Sequence, residues 1–523
     1  MHGRWWCLGL LGLTALLSAR QLAAAEPVPL GTRRELFVED GLIERLAGHA
    51  RLVMHRPEPR ELVLETGEPW EGNATNYVTV FRDGDRYRMY YRGSHASYLQ
   101  GRDRPNTRDV YCYAESTDGI HWTKPHLGLF EWNGSKANNI VWDGPGAHGF
   151  APFRDTNPAA SPDARYKALG VGGDKPGLYA FRSPDGIHWS LLHPEPVITQ
   201  GAFDSLNLAF WDAERGEYRE YHRDFRDGRD IRTGTSADFV HWTGPEYLNY
   251  AALVQPGGGA QAPRDVRDPK GAGYPFGRVS ELYTNQITPY HRAPHLLLGF
   301  PTRYIDRGWT PAAKALPRPD YRRVRAKDSP REGTAVTDGM LIASRDRQQF
   351  AVWPESFLRP GLRTSDSWFY GDTYQNWGLV ETASHLPDAP PELSLYVSER
   401  TRQETGGRLR RYSLRLDGFV SLQAPLAGGE LITRPVTFAG TELRLNASTS
   451  AAGSIRVELQ DADGQPLPGL TLADCDDLYG DDVELRVTWR DQADLSRLRG
   501  QTVRLRFVRS DADVYSYRFA SGP

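Results

Sequence analysis

Apolar and polar residues alternate with a period of two through most of this chain, in short runs separated by turn residues. Residues 77–81 and 86–91 are two such runs, and Asp83-Gly84 lies between them. Alternation predicts strands, and an Asp-Gly between two runs predicts a tight hairpin. The same scheme recurs at residues 206–211 with 217–222, and at 287–290 with 295–300. The pattern therefore predicts a chain built from β-hairpins.

A seven-residue motif repeats at the turns. Ser-x-Asp-Gly-Ile-His-Trp occupies residues 116–122 and 183–189, and a weaker copy occupies residues 236–242. A degenerate copy begins at Ser344, and a fifth keeps only a strand and Ser398. One such turn in each repeating unit is typical of β-propellers. We count five units, which predicts a five-bladed β-propeller over residues 26–408, with residues 303–331 as a charged surface insertion.

After the last unit the strands become more regular. Alternating runs occur at residues 412–416, 431–438, 442–446, 454–460, 483–489 and 502–508. This predicts a β-sandwich over residues 409–523.

Composition supports an all-β fold class. The chain has 52 Gly, 37 Pro, 14 Trp, 25 Tyr and 19 Phe but only 4 Met. Turn formers and aromatic residues in this excess disfavour helical bundles and doubly wound α/β folds. The net charge of −3 offers no basic face, so no nucleic-acid partner is expected.

The first 25 residues have the features of a secretory signal. Arg4 is followed by an apolar run over residues 5–18, and Ala23-Ala24-Ala25 precedes Glu26. An uncleaved anchor is the alternative, but the run is short for a bilayer span and no transmembrane segment follows the leader. The mature protein is therefore expected to be secreted or periplasmic. Cys112 and Cys475 are expected to be unpaired, and no metal site is predicted because close Cys and His spacings are missing.

The chain resembles the propeller glycoside hydrolases of families 32, 43 and 68. It looks closest to divergent secreted bacterial proteins that carry a glycosyl hydrolase family 32 N-terminal-like domain. The stretches that carry this resemblance are residues 36–40, 69–72, 153–158, 299–303 and 414–419. The resemblance implies a glycosidase whose three carboxylates project into an axial funnel from the starts of inner strands. It makes Asp155 the transition-state stabiliser through an approximate Arg-Asp-Pro match at residues 154–158. It also allows a structural Ca²⁺ in the funnel, and no other cofactor.

Two of the family's acid motifs have no counterpart here, namely Asn-Asp-Pro-Asn-Gly in the first blade and Glu-Cys. We therefore identified the acids that stand just before each inner strand, because glycoside hydrolysis requires two carboxyl groups in one cleft. Four residues meet this criterion: Glu71, Asp155, Asp204 and Glu281. Asp204 or Glu281 is expected to be the general acid, and Glu71 the nucleophile or base. Each has an alternative role as a partner of a turn or of a neighbouring arginine.

Basic and aromatic residues near these acids are candidates for binding a sugar or an acidic sugar, since arginine matches carboxylate and sulfate in bidentate fashion. The candidates are Trp70, Arg154, His222, Arg223, Tyr283, Arg292, His295 and Arg303. Further aromatic candidates for stacking on sugar rings are Trp368, Tyr370, Tyr374 and Trp377. The motif residues Asp118, Asp185 and Asp238, with His121, His188 and His241, are expected to be structural.

The leading hypothesis is a secreted glycosidase that cleaves O-glycosidic bonds of a polysaccharide or oligosaccharide. A sialidase-like exo-hydrolase is a second hypothesis, because the turn motif differs from the sialidase Asp-box only by a missing residue. A non-catalytic propeller that binds glycans is a third, and it predicts that the four acids do not converge.

Overall fold

The computed structural model describes residues 26–96, 108–226, 228–252, 281–404 and 406–522. Within these ranges the chain is all-β, as predicted, and its sheets follow one another in a propeller-like arrangement. Helical segments in the described chain are confined to Pro162–Ala164, Pro311–Lys314, Pro319–Asp328, Arg331–Thr334 and Ser496–Leu498. None of the described helices is long and apolar enough to cross a membrane.

Sheets 1, 2 and 3 are four-stranded antiparallel meanders that succeed each other along the chain. Sheet 1 consists of Thr79–Asp83, Arg86–Gly93, Val110–Ser116 and Ile140–Trp142. Sheet 2 consists of Gly149–Arg154, Tyr166–Val171, Leu178–Ser183 and Ser190–Leu191. Sheet 3 consists of Leu208–Asp212, Glu217–Phe225, Arg229–Ser236 and Glu246–Tyr247. The first strand of each is the inner strand, and in sheets 1 and 3 the hairpin after it is the one that the alternation predicts.

Sheet 4 has seven strands and contains the insertion. Its strands are Asn249–Ala252, Glu281–Leu282, Thr288–Tyr290, Ala293–Gly299, Thr302–Asp306, Ala335–Ser344 and Gln349–Leu358. The segment between Thr302–Asp306 and Ala335–Ser344 carries the three α-helices. It is not only a surface feature, because Arg322 and Arg325 of the second helix are fully buried.

Sheet 5 takes its outer strand from the beginning of the chain. Its strands are Tyr374–Gln375, Val380–Thr382, Glu392–Glu399, Arg408–Arg415 and Glu58–Glu65. Arg408–Arg415 pairs with both Glu392–Glu399 and Glu58–Glu65. The predicted division between residues 408 and 409 therefore falls at the start of a strand of sheet 5.

A terminal sheet of eight strands combines both ends of the chain. Its strands are Arg34–Leu36, Ile43–Gly48, Arg51–Met54, Val420–Ala424, Gly429–Thr433, Glu442–Gln460, Asp481–Arg486 and Arg504–Ala520. Beside it, Val28–Gly31 pairs in parallel with Val436–Phe438. Residues 28–54 thus belong with the C-terminal strands, although the sequence pattern assigns them to the propeller. The buried core of this sheet is continuous with residues of sheets 4 and 5.

The repeated motif forms one and the same turn in three sheets. In the first copy the Asp118 carboxylate accepts from the amides of Ile120 and His121, both at 2.8 Å, and from the His121 ring at 2.7 Å. Gly119 has a φ of +74°, a conformation that side chains disfavour. Asp185 and Asp238 make the corresponding bonds. The structural role predicted for the motif is confirmed.

The same turns also join neighbouring sheets. The Tyr90 hydroxyl of sheet 1 donates to the Gly186 carbonyl of sheet 2 at 2.9 Å, and Tyr221 of sheet 3 donates to a turn carbonyl of sheet 4 at 2.9 Å. Tyr396 of sheet 5 donates to the Gly119 carbonyl of sheet 1 at 2.6 Å. A tyrosine on the second main strand of one sheet thus holds the turn of the next.

Each inner strand therefore has two distinct ends. The end at which the hairpin begins lies beside the motif turns. In sheet 1, Asp83 at the end of the inner strand pairs with Arg86, and the next residue, Tyr87, pairs with Ser116 of the motif. We call this the turn end. The opposite end, where the segments that precede the inner strands lie, we call the funnel end. Cys112 and Cys475 are buried and unpaired in the described chain.

Candidate functional site

Segments that precede four inner strands, together with the loop before Tyr374–Gln375, meet at the funnel end. They contribute the axial cluster, which we define as Tyr77, His148, Asp204, Tyr283 and Tyr370. The Tyr77 hydroxyl lies 3.4 Å from Asp204 Oδ1 and 3.1 Å from the Tyr283 hydroxyl. The rings of Tyr283 and Tyr370 have centroids 6.1 Å apart. The cluster thus combines side chains that are up to 293 positions apart in the numbering, since 370 − 77 = 293.

Asp204 is the accessible carboxylate of the axial cluster, with 54% of its side chain exposed. It accepts a hydrogen bond from His148 Nε2 at 3.1 Å, and Arg223 Nη2 lies 3.9 Å from its other oxygen. Burial acts to raise the pKa of Asp204, but the hydrogen bond and charge of His148, with Arg223 and Arg92, hold that pKa well below its usual range. Asp204 is therefore an ionised, oriented carboxylate at neutral pH.

His148 lies between two carboxylates. Its ring donates from Nδ1 to Asp109 Oδ2 at 2.7 Å and from Nε2 to Asp204 Oδ1. Burial acts to lower the pKa of His148, but these hydrogen bonds outweigh it and raise the pKa above the usual value. The Arg92 guanidinium lies 4.6 Å from the centroid of the Tyr77 ring. The hydrogen bonds to Asp109 and Asp204 hold the His148 ring in place beside Asp204.

A buried layer of tyrosines supports the charged groups. Tyr77, Tyr283 and Tyr370 are each 2% exposed or less. Burial raises the pKa of all three hydroxyls, so they remain protonated and act as hydrogen-bond donors. Tyr77 adopts a φ of +65°, which for a bulky residue requires support from its surroundings.

Two arginine side chains approach the Tyr283 ring. The guanidinium of Arg229 lies 5.2 Å from the ring centroid, and that of Arg223 lies 5.6 Å from it. Arg229 donates to Glu281 Oε2 through Nη1. Both arginines also approach Phe225, which is 51% exposed at the hairpin tip. Arg223 thus links Asp204 to the Tyr283 ring, and Arg229 links that ring to Glu281.

Glu71 and Trp70 lie outside this cluster. The Glu71 side chain is completely buried and pairs with Lys124 Nζ at 2.7 Å, while Tyr91 donates to it at 2.5 Å. Trp70 donates from its indole nitrogen to Asn139 at 2.7 Å. The predicted nucleophile or base is thus part of a closed ion pair, because Lys124 and Tyr91 occupy the oxygens that a substrate needs.

Asp155 and Arg154 lie at the turn end. Asp155 follows the inner strand Gly149–Arg154, whereas His148 precedes it, so the two are about 23 Å apart at 3.3 Å per residue. The Asp155 side chain is fully buried, pairs with Lys167 and accepts from Tyr218 at 2.7 Å. The Arg154 guanidinium lies 3.5 Å from Asp83. The expectation that Asp155 acts beside Asp204 is corrected by the direction of this strand.

The remaining predicted ligands of the substrate are bound elsewhere. His222 is completely buried and bonded to Glu220 at 2.8 Å. Arg292 pairs with Asp417 at 2.8 Å and lies 4.0 Å from Glu484 of the terminal sheet. His295 donates to Glu35 of the same sheet at 3.2 Å. Arg303 makes a two-pronged pair with Asp338 inside sheet 4. The sequence shows their charge but not which sheet face they lie on.

Sequence reasoning missed Tyr77, His148, Asp109 and Arg92. Tyr77 and His148 stand directly before inner strands, which is the positional rule that selected Asp204. The criterion selects acids before inner strands, so it does not select a histidine or a tyrosine in the same segments.

No group of three or more His, Cys, Asp or Glu in the described chain is arranged to hold a metal ion. Calcium takes six to eight oxygen ligands. The described funnel offers Asp204, already bonded to His148, and no such set of oxygens. The implied Ca²⁺ therefore does not fit this site.

Comparisons with known proteins give the following likenesses. No family model matches the chain. The uncharacterized protein MT1551 of Mycobacterium tuberculosis (strain CDC 1551 / Oshkosh) is 27% identical over 159 residues, which are 30% of this chain and 44% of that protein. The chain thus matches less than half the length of this curated relative.

Solved structures with a similar arrangement include a glycoside hydrolase, with a TM-score of 0.41, 11% identity, and coverage of 69% of this chain and 92% of that chain. A thermostable family-43 glycoside hydrolase has a TM-score of 0.39 and 13% identity, and the match covers 70% of this chain and 96% of that chain. An N-acetylgalactosamine deacetylase from F. plautii, in complex with blood group B trisaccharide, has a TM-score of 0.41 and 12% identity, with 70% and 95% covered. The functional case rests on the axial cluster itself.

Proposed function

We propose that this protein is a secreted glycoside hydrolase that cleaves O-glycosidic bonds of a polysaccharide or oligosaccharide at the funnel end. The observation that carries the proposal is Asp204, a half-exposed carboxylate kept ionised and oriented by His148 and Tyr77 at the meeting point of the sheets. The proposal includes five blades, with sheet 4 as the fourth, a sandwich that contains the terminal sheet, and a leader that ends at residue 25.

Asp204 is proposed as the ionised carboxylate of the reaction. Its low pKa suits a group that removes a proton from water, or attacks the anomeric carbon directly, at neutral pH. The hydrogen bonds from His148 and Tyr77 restrict its rotation, which favours a productive geometry.

Glu281 is proposed as the general acid that protonates the glycosidic oxygen. Its partner Arg229 lies 5.2 Å from the centroid of the Tyr283 ring, and the Tyr283 hydroxyl is 3.1 Å from that of Tyr77, which contacts Asp204. Its side chain is 35% exposed, which leaves it accessible to a sugar. In the direct hydrolysis route, Glu281 gives its proton to the leaving oxygen while water loses a proton to Asp204 and bonds to the anomeric carbon.

Phe225 offers the apolar surface that sugars stack on. Its ring is exposed at the tip of the hairpin between Glu217–Phe225 and Arg229–Ser236, next to Arg223 and Arg229. An exposed aromatic ring beside hydrogen-bond donors is a common feature of ligand sites.

The test is hydrolysis of a glycan panel by the wild-type protein and by Asp204→Asn and Glu281→Gln. Each variant is expected to lose about 10²–10⁴-fold in rate, the contribution of one acid or base group. Asp163→Asn is the matched control, because Asp163 is 58% exposed and pairs with Arg182 outside the funnel. Full activity in Asp204→Asn would overturn the assignment.

The leader has a test of its own. N-terminal sequencing of the exported protein is expected to find Glu26 as the first residue.

A non-catalytic glycan receptor is the second candidate. It is favoured by the fact that both funnel acids already have cationic partners, Asp204 with His148 and Glu281 with Arg229. In that case wild-type protein and Asp204→Asn bind the same glycan and neither releases a product.

A further inference from the structure

One wall of the funnel consists of arginines stacked on tyrosines. Arg229 lies 4.5 Å from the Tyr304 ring centroid as well as over Tyr283. Arg331 lies 5.3 Å from the Tyr370 ring centroid. Tyr283 and Tyr370 are neighbouring rings of the axial cluster, so both guanidinium groups contact this cluster.

The Arg331 guanidinium has no ion-pair partner in the described chain. No carboxylate in the described chain lies within salt-bridge distance of it, and its buried Nε has no hydrogen-bond partner there. Arg323 in the same insertion behaves differently, because it pairs with Asp320 at 2.6 Å and is 59% exposed. A half-buried guanidinium stacked on an aromatic ring keeps its in-plane donors free for an anion.

Arg229 has a second free donor. The residue is 8% exposed, and its buried Nε has no hydrogen-bond partner among the described residues, although Nη1 bonds Glu281. Arg229 and Arg331 are thus two guanidinium groups beside the axial cluster whose Nε donors no described residue uses.

The charge around the axial cluster is positive in a chain whose net charge is −3. The cations are Arg92, Arg223, Arg229 and Arg331, and the carboxylates are Asp109, Asp204 and Glu281. Arg402 also reaches the Tyr370 ring, but Glu332 neutralises it. Because neutral sugars need no excess cation, this imbalance favours an anionic one.

The insertion holds Arg331 in place. Arg325 of the helix Pro319–Asp328 pairs with Glu332 at 2.6 Å, and Arg322 donates to the Trp368 carbonyl at 2.6 Å. Both arginines stack on the Phe369 ring. Arg331 immediately precedes Glu332, so its position in the funnel wall is set by buried contacts.

We propose that the funnel binds an anionic sugar, with the carboxylate or sulfate held by Arg331 and Arg229; this inference rests on the proposed function and specifies its substrate class. An anion that takes Arg229 as its partner also releases Glu281 from its ion pair. Glu281 is then able to carry the proton that the leaving oxygen requires.

The experiment measures binding directly, by calorimetry, to the folded full-length mature chain. The probes are a disaccharide with one hexuronate, its neutral carboxyl-reduced form, and a sulfated form of the neutral disaccharide. At least one anionic probe is expected to bind about tenfold or more tighter than the neutral form, the effect of one charge-assisted contact. The uronate and sulfate arms identify which anion is preferred.

Variants assign the effect to Arg331. Arg331→Ala is expected to lose most of the preference for the anionic probes, because only Arg229 remains to hold the anion. Arg331→Lys is expected to keep more of the preference than Arg331→Ala, and Arg323→Ala to behave like wild type. If Arg331→Ala does not fold, the wild-type protein still tests the proposal: raising NaCl from 50 to 500 mM must weaken binding of the anion but not of the neutral probe. Equal affinity for all probes, no binding of either anion, or an unchanged preference in Arg331→Ala overturns it.

The two proposals fail separately. Selective binding of an anionic probe without cleavage of any glycan contradicts the hydrolase and leaves the anion site intact. Cleavage of neutral glycans without any preference for the anion contradicts the anion site and leaves the hydrolase intact.

Discussion

The two ends of the inner strand Gly149–Arg154 carry clusters of similar composition in opposite states. At the funnel end, Asp204 is surrounded by a histidine, an arginine and a tyrosine, and 54% of its side chain is exposed. At the turn end, Asp155 is surrounded by Lys167, Tyr218 and a backbone amide, and none of its side chain is exposed. An acid, a cation and a phenol are present at both ends, so residue type alone does not distinguish a functional site from a structural ion pair.

The difference lies in what is left unbonded. Asp155 Oδ2 accepts from Lys167 and Tyr218, and Oδ1 accepts from the Asn157 amide at 2.9 Å. Asp204 Oδ1 accepts from His148, whereas its nearest described cation beyond that is Arg223 at 3.9 Å from Oδ2. A buried and fully bonded carboxylate stabilises the fold, and an oriented carboxylate with an accessible oxygen is available to a ligand.

The largest expected effect on stability is at the turn end. Lys167→Met leaves the buried Asp155 charge without its cation, and breaking a buried pair costs about 3–5 kcal/mol. The free energy of unfolding, measured by denaturant titration, is expected to fall by that amount. Adding Asp155→Leu to Lys167→Met removes the orphaned charge and is expected to recover most of the loss.

The matched variant at the funnel end sharpens the contrast. Asp204→Asn is expected to change the free energy of unfolding by less than about 1 kcal/mol, because exposed pairs contribute little. A Lys167→Met protein as stable as wild type would remove the distinction between the two ends.

The pH dependence of His148 provides a smaller effect. Its folded-state pKa is raised, so its contribution to stability is complete below its unfolded value of about 6.5 and is lost as pH rises through the folded pKa. The pKa of Asp204 is lowered, so its contribution is present above about pH 4 and is lost as pH falls further. The pair is therefore complete between about pH 4 and 6.5.

His148→Gln tests that window. The stability difference between wild type and His148→Gln is expected to peak near pH 5–6, at about 1 kcal/mol or less because the group is part-exposed, and to shrink above pH 6.5. Urea titrations at several pH values measure it. A difference that grows steadily from pH 6 to 9 would show that His148 is neutral in the folded protein.

The all-β class, the hairpins and the motif turns were all predictable, because alternation and Asp-Gly spacing are local signals. Asp204 and Glu281 were predictable as acids in the segments that precede the inner strands Leu208–Asp212 and Thr288–Tyr290. Asp155 was misplaced because the sequence does not show that the inner strand, residues 149–154, comes before Asp155 and not after it. Glu71 failed for another reason: its partner Lys124 is 53 residues away, and only the fold brings the two together. Residues 28–54 joined the terminal sheet through pairing that no local pattern encodes.

Effects of about 1 kcal/mol or less are also expected at the motif turns, which test whether turn-end acids are structural throughout. Burial acts to raise the pKa of Asp185, but hydrogen bonds from the backbone and side chain of His188 lower it to about 2. Asp185→Ala removes the acceptor of two amides and is expected to cost about 1 kcal/mol, as for other side chains that cap backbone groups. His188→Ala removes only an exposed ring and is expected to cost less than about 0.5 kcal/mol. Thermal unfolding of both variants measures this order. A loss of glycan hydrolysis in Asp185→Ala, at unchanged stability, would instead place a functional acid at the turn end and dissolve the contrast with Asp204.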